Sequence, residues 1–211
     1  MIALVPLRMR TKIRLSPEEL KLALNADILL TKNRVMQKAC EYFSQLAEEA
    51  GQAFGGPEGE ESSYGWNAFV DGHGPKISRG EQYKGLPYVM LDHPRKFSRE
   101  HVFAIRNMFW WGHYFIQTLH LKGVHQHKAL EWMPGRMEGL REAGFQVSAT
   151  GEEWIHDFEE KNYLPMDTLP DETIWKKLRA DPFVKIAAMI PMNDWDEAME
   201  KMLRNYRLLL P

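Results

Sequence analysis

Apolar and polar positions alternate most strongly between Leu86 and Leu121. Leu86-Pro87-Tyr88-Val89-Met90-Leu91 reads as a strand, with its proline tolerated near the start, and a break follows at His93-Pro94-Arg95. From Val102 to Trp111, Phe103, Ile105, Asn107, Phe109 and Trp111 share one face, and Val102, Ala104, Arg106, Met108 and Trp110 share the other. From His113 to Leu121, Phe115, Gln117, Leu119 and Leu121 oppose Tyr114, Ile116, Thr118 and His120. Gly112 stands where a tight turn would join the two runs, and the β-branched and aromatic content suits a hairpin. The alternative is a helix capped by Ser98, because Val102, Ile105, Phe109 and Ile116 also fit a helical face.

The period changes on either side. Ser16-Pro17-Glu18-Glu19 is a helix start with capping-box spacing. Apolar positions then recur every three to four residues through Val35, Ala39, Tyr42, Phe43, Leu46 and Ala50, which predicts helix from about 17 to 54, either bent near Leu30-Thr31 or restarted there with Thr31 as the cap of a second helix. Gly55-Gly56-Pro57 ends it; residues 58–63 read as a loop and 66–70 as a short strand. Beyond Gly123 the pattern predicts helical pieces at 127–132 and 136–142, a strand at 145–148, and a helix begun by the Thr150–Glu153 capping spacing and running through Trp154, Ile155 and Phe158. A loop follows at 162–170, then a helix at 171–180 and a strand at 183–190 between two prolines. A last amphipathic helix is capped by Asn193 or Asp194.

These elements make an α+β fold. A mostly antiparallel sheet packs with a long N-terminal helix pair and a C-terminal helix, and residues 1–211 form a single domain. With 44% hydrophobic and 27% charged residues the chain can bury a real core. Its 27 basic and 29 acidic side chains argue against a large surface for nucleic acid or anionic lipid. Arg8, Arg10, Lys12 and Arg14 form a local basic arm, read more simply as solvated than as a phosphate-binding tail. Cys40 is the only cysteine, so neither an intrachain disulfide nor a Cys-rich zinc site can form. The 102–121 stretch carries too many polar residues to span a membrane, and a cytoplasmic location is expected.

The Tyr83-Lys-Gly-Leu-Pro87 turn, the Phe183–Pro191 strand and the order of elements resemble the uncharacterised bacterial family typified by YktB. That resemblance implies a mixed α+β fold and carries no activity or site residue with it.

Candidate chemistry lies in the polar minority of the aromatic stretch. Arg106 can pair with Asp92 or hold an anionic ligand, and Tyr88, Trp110, His113, Thr118 and His120 can join it if the strands are adjacent. The simpler alternative is an Arg–Asp pair on a half-exposed sheet face. His120, His125 and His127 offer metal-ligand spacing, but no carboxylate stands nearby and an exposed turn is the plainer reading; no metal and no cofactor are expected. Gly72, Gly74 and Gly80 lack the context of a nucleotide loop, and no nucleophile elbow is present. Lys76, Arg79, Lys84, Arg95, Lys96 and Arg99, with Tyr83 and Tyr88 among them, form a basic strip that single-stranded nucleic acid would suit, although overall charge makes solvation the better account. The first functional expectation is a non-enzymatic module binding a small ligand or protein on an aromatic sheet face. The alternatives are an enzyme acting on an anionic small molecule, with Arg106 as anchor and a histidine as acid or base, and nucleic-acid binding by the 76–99 strip.

Overall fold

A computed structural model describes residues 12–55 and 74–211. Arg8 and Arg10, the loop expected at 58–63 and the strand expected at 66–70 lie outside the described residues. The chain divides between Gln37 and Lys38 into two compact units.

In the first unit Ser16 caps α1 (Pro17–Ala23) with the full capping box: its hydroxyl accepts from Glu19 N at 3.1 Å, and the Glu19 carboxylate accepts from Ser16 N at 2.7 Å. The helix does not run on to a bend or a restart at Leu30-Thr31. It stops at Leu24, and α2 (Ala26–Phe54) starts afresh because the Asn25 carboxamide accepts from Asp27 N at 3.1 Å, a local bond that competes with helix continuation.

The second unit is built on one antiparallel sheet ordered β1-β2-β3-β4-β7-β5-β6. Its strands are β1 (Lys76–Tyr83), β2 (Leu86–Phe97), β3 (Val102–Trp110), β4 (Tyr114–Lys122), β5 (Gln146–Ser148), β6 (Tyr163–Pro165) and β7 (Phe183–Pro191). The 102–121 stretch is a hairpin, paired from Val102 with Lys122 to Phe109 with Phe115 and turned at Gly112, whose φ of +76° suits glycine. Both faces of this hairpin are covered, which explains why its sequence also tolerated a one-faced helical reading. The expected break at His93-Pro94 is instead a register shift inside a continuous β2. Among the described residues, pairing with β1 ends at Asp92, and the register shift with β3 falls between Asp92 and Arg95, where Pro94 is accommodated.

One sheet face is the apolar core, with Phe43, Leu46 and Ala50 of α2 and Met202, Tyr206 and Leu209 of α6 (Trp195–Leu209) among its buried side chains. Tyr42 stacks on Phe115 at 5.7 Å between ring centres, and Trp195 packs on the same ring at 5.3 Å. Two buried amides register α6 on the sheet: Gln117 Nε2 donates to Met202 O at 3.1 Å, and Asn107 Nδ2 donates to the Tyr206 hydroxyl at 3.1 Å. That hydroxyl in turn donates to His93 O at 2.6 Å. Asp194 stands at the N-cap of α6, but its carboxylate takes Lys201 and does not cap the helix.

Between β4 and β5 lie α3 (Val124–Trp132) and α4 (Met137–Glu142), and α5 (Asp171–Ala180) precedes β7. Residues expected to be a helix after Thr150 form none. Thr150 Oγ1 accepts from Glu152 N, and the Glu153 carboxylate, which the capping box would need, is bound to Lys122. Residues 149–162 are a largely irregular strap, and the loop expected after Asn162 contains β6. Among the described residues no helix is long and apolar enough to cross a membrane.

A buried cationic cluster beneath the 149–162 strap

Strand alternation and register place Tyr88, Asp92, Arg106, Trp110, Thr118 and His120 on the sheet face opposite the core helices, six of the seven residues proposed from sequence. His113 is the exception. It sits in the turn, its ring flat on Trp110 at 3.6 Å and 7°, at the far end of β3 from Arg106. Trp110, at 1% exposure, is buried against Tyr83, His113 and Tyr114 rather than under a helix, and its indole N–H donates to Tyr83 O at 3.3 Å. Trp111 turns to the other side, edge-on to Phe109.

Arg106 and Asp92 are register partners and form the expected pair, with bidentate contacts of 2.6 and 2.9 Å. The pair is buried, not half exposed. Two further residues complete the neighbourhood. Lys185, opposite His120 across the β4–β7 pair and 1% exposed, donates to Glu153 O at 2.8 Å and to Ile155 O. His156 on the strap meets Arg106 Nη1 through its Nε2 at 3.2 Å. Glu153 spans the edge of the group: its Oε2 accepts from Lys122 at 3.1 Å, and its Oε1 lies 3.1 Å from His120 Nε2, off the line of a hydrogen bond.

The strap is held by an unusual number of side chains. The Tyr83 hydroxyl donates to Asp157 Oδ2 at 2.7 Å and accepts from His156 N at 2.7 Å and Asp157 N at 3.2 Å. The Tyr114 hydroxyl accepts from Phe158 N, and that of Tyr163 donates to Ile155 O. Lys84 binds Asp157 and Glu159 at 3.0 and 2.9 Å. Trp154 closes the top, 55% exposed, 5.7 Å from the Arg106 guanidinium and edge-on to His120 at 5.5 Å.

Electrostatically the cluster has no uncommitted carboxylate: Asp92, Glu153 and Asp157 are each engaged by a side-chain cation. Burial, then the charges of Lys185, Arg106 and Lys122, push His120 down to about 3. Burial, with Lys185, Arg106 and His120 around it, holds His156 well below the ordinary imidazole range. Burial and the neighbouring Arg106, opposed by Glu153 and Asp157, bring Lys185 down to about 7. Asp92 is committed to Arg106 and Glu153 to Lys122, while the Lys185 ammonium rests on backbone carbonyls. Thr118 Oγ1 and His156 Nδ1 are buried with no hydrogen-bond partner among the described residues. Small anions and polar carboxylates are what such a group recognises.

Other candidates fare differently. His125 and His127 lie on α3, not on an exposed turn; His125 is buried edge-on to Phe103, while His120 faces Trp154 and Phe183. Among the described residues no group of three or more His, Cys, Asp or Glu is placed to hold a metal. In the basic strip, Lys84 is tied to the strap and Arg95 Nε donates to Gly74 O at 3.0 Å. The sequence pattern singles out neither His156 nor Lys185. The one legible signal for the latter is a single charge inside the apolar run Phe183–Ile190. No protein-family model, curated protein or solved structure matches this chain, so the site's own geometry carries the functional argument.

Proposed function

We propose that the protein binds a small anionic molecule, a carboxylate or a phosphate, on the polar half of the strap-covered sheet face. Arg106, Thr118, His120, His156 and Lys185 supply the contacts. Supporting this reading are two buried polar atoms without partners among the described residues, Thr118 Oγ1 and His156 Nδ1, beside Arg106 and Lys185, whose nearby carboxylates Asp92, Glu153 and Asp157 are each already engaged; burial, with those cations, keeps both histidines neutral. A bound anion would give Thr118 Oγ1 and His156 Nδ1 partners and raise the proton affinity of both imidazoles. The aromatic part of the same face, Tyr83, Tyr88, Trp110 and Tyr114, packs around Met90, Met108 and Ile116 and serves as the rigid floor beside the site. Cytoplasmic residence and a binding rather than a catalytic role belong to this proposal.

The test is calorimetric titration with inorganic phosphate and with citrate at pH 6 and pH 7.5. Saturable binding is expected, tighter at pH 6 because the complex takes up a proton, and weakened about tenfold in the near-isosteric Thr118→Val variant, the loss of one good hydrogen bond. Absence of saturable binding of either anion up to about 10 mM, or binding indifferent to Thr118→Val and to Trp154→Ala alike, would overturn it.

A further inference from the structure

A cavity of about 600 Å³ opens between α4, the end of β7 and α6, within the second unit, and it shares no lining residue with the strap-covered cluster. That volume is in the range of small-molecule sites. Its apolar wall is Met189, Ile190 and Pro191 on β7 and Leu208 on α6. Gly139 lets α4 lie against that leucine, since a Cβ there would stand 2.7 Å from Leu208 Cδ2. Met189 is 44% exposed, although the six strand positions before it are all buried.

The polar lining is divided between engaged and unengaged groups. Lys201 is taken by Asp194, and Arg204 by Glu200. The side chains of Arg207 on α6 and Glu142 on α4 have no partner among the described residues, and although both line the cavity they do not pair with each other. Asn205 also lines it. Only 7% exposed, its carboxamide makes no hydrogen bond among the described residues, and a buried amide without partners calls for one. We infer that this cavity binds a free α-amino acid with an apolar side chain. Uncommitted charges of opposite sign on two neighbouring helices match a zwitterion, whereas a simple anion would face Glu142 and a simple cation Arg207. The carboxylate goes to Arg207 and the ammonium to Glu142. Asn205 can donate to the first and accept from the second, and the side chain lies on Met189 and Leu208. A charged side chain would lose its hydration against that apolar wall.

Calorimetric titration of the full chain with L-leucine, L-phenylalanine and L-glutamate tests this. Saturable binding of leucine or phenylalanine is expected below about 10 mM, with glutamate about tenfold weaker or worse. Isocaproate, which is leucine without the ammonium, and leucinamide, which lacks the carboxylate, should each bind about tenfold more weakly than leucine. Glu142→Gln should weaken leucine and leave isocaproate unchanged, while Arg207→Gln should weaken leucine and leave leucinamide unchanged. Both positions are exposed, so neither change should move the thermal midpoint. Asn205→Leu should weaken all three ligands. Absence of saturable binding of both apolar amino acids, glutamate or isocaproate binding as tightly as leucine, or a leucine affinity unmoved by Glu142→Gln and Arg207→Gln would each overturn the inference. Thr118→Val should leave leucine binding unchanged and phosphate should not displace leucine, so this proposal and the anion site stand or fall separately.

Discussion

His120 gives the sharpest test of the electrostatic reading of the cluster. In the folded chain its imidazole is held neutral down to about pH 3 by burial and by Lys185, Arg106 and Lys122, even with the Glu153 carboxylate beside it. In the unfolded chain it returns to about 6.5. Between those values the unfolded state carries a proton that the folded state lacks, so stability is complete above pH 6.5 and is lost as pH falls through the window. At pH 5 the loss from His120 alone is about 2 kcal/mol, from the 1.5 units between pH 5 and the unfolded value at 1.36 kcal/mol each. His93, lowered to about 4 by burial and Arg95, adds about the same, and His156 acts in the same direction. Together this is a large fraction of the roughly 5–15 kcal/mol that holds an ordinary domain. Urea unfolding at pH 7.5, 6 and 5 measures it. The wild type should lose stability steeply below pH 6.5, and His120→Gln, whatever its stability at pH 7.5, should lose about 2 kcal/mol less over that range. A wild-type stability that is flat from pH 7.5 to 5, or parallel curves for the two proteins, would show that His120 is not held neutral by its surroundings. The anion proposal would then lose its electrostatic basis.

Two further outcomes follow from the strap. Tyr83→Phe removes one hydroxyl that makes three strap contacts and leaves the N–H groups of His156 and Asp157 without it. It should destabilise the protein by about 2–4 kcal/mol in urea and raise amide exchange at residues 156 and 157 more than in the β3–β4 hairpin. Lys185→Met tests the second lowered group: because Lys185 falls from 10.5 to about 7 on folding, the unfolded chain binds more protons between those values and wild-type stability should rise with pH across them. The variant should lack that rise, as read from thermal midpoints at pH 7, 8 and 9.

Much of the sheet was legible because its signals are local. Alternation at 102–121 specified both faces of the hairpin, Gly112 its turn, and the apolar run at 183–190 a buried strand. For the same reason the alternation put Asp92, Arg106, Thr118 and His120 on one face as soon as the strands were paired in register. The misreadings fall where one short-range signal met a competitor. Asn25 captured the Asp27 amide and ended a helix whose apolar spacing continues through it. At 150–158 the capping-box spacing was present, but Glu153 and the backbone of the strap were taken by Lys122, Lys185 and Tyr83, residues between about 30 and 75 positions away.

By itself, then, the sequence determined the α+β class and offered the aromatic hairpin beside a helical alternative and Asp92 as one partner for Arg106, since period is a property of a stretch of chain. Only the tertiary structure decided that His156 and Lys185 join that pair and that His113, His125 and His127 do not. Bringing β7 beside β4 and folding the strap across them is a long-range event, and the lowered proton affinities arise only once those cations share one water-poor space.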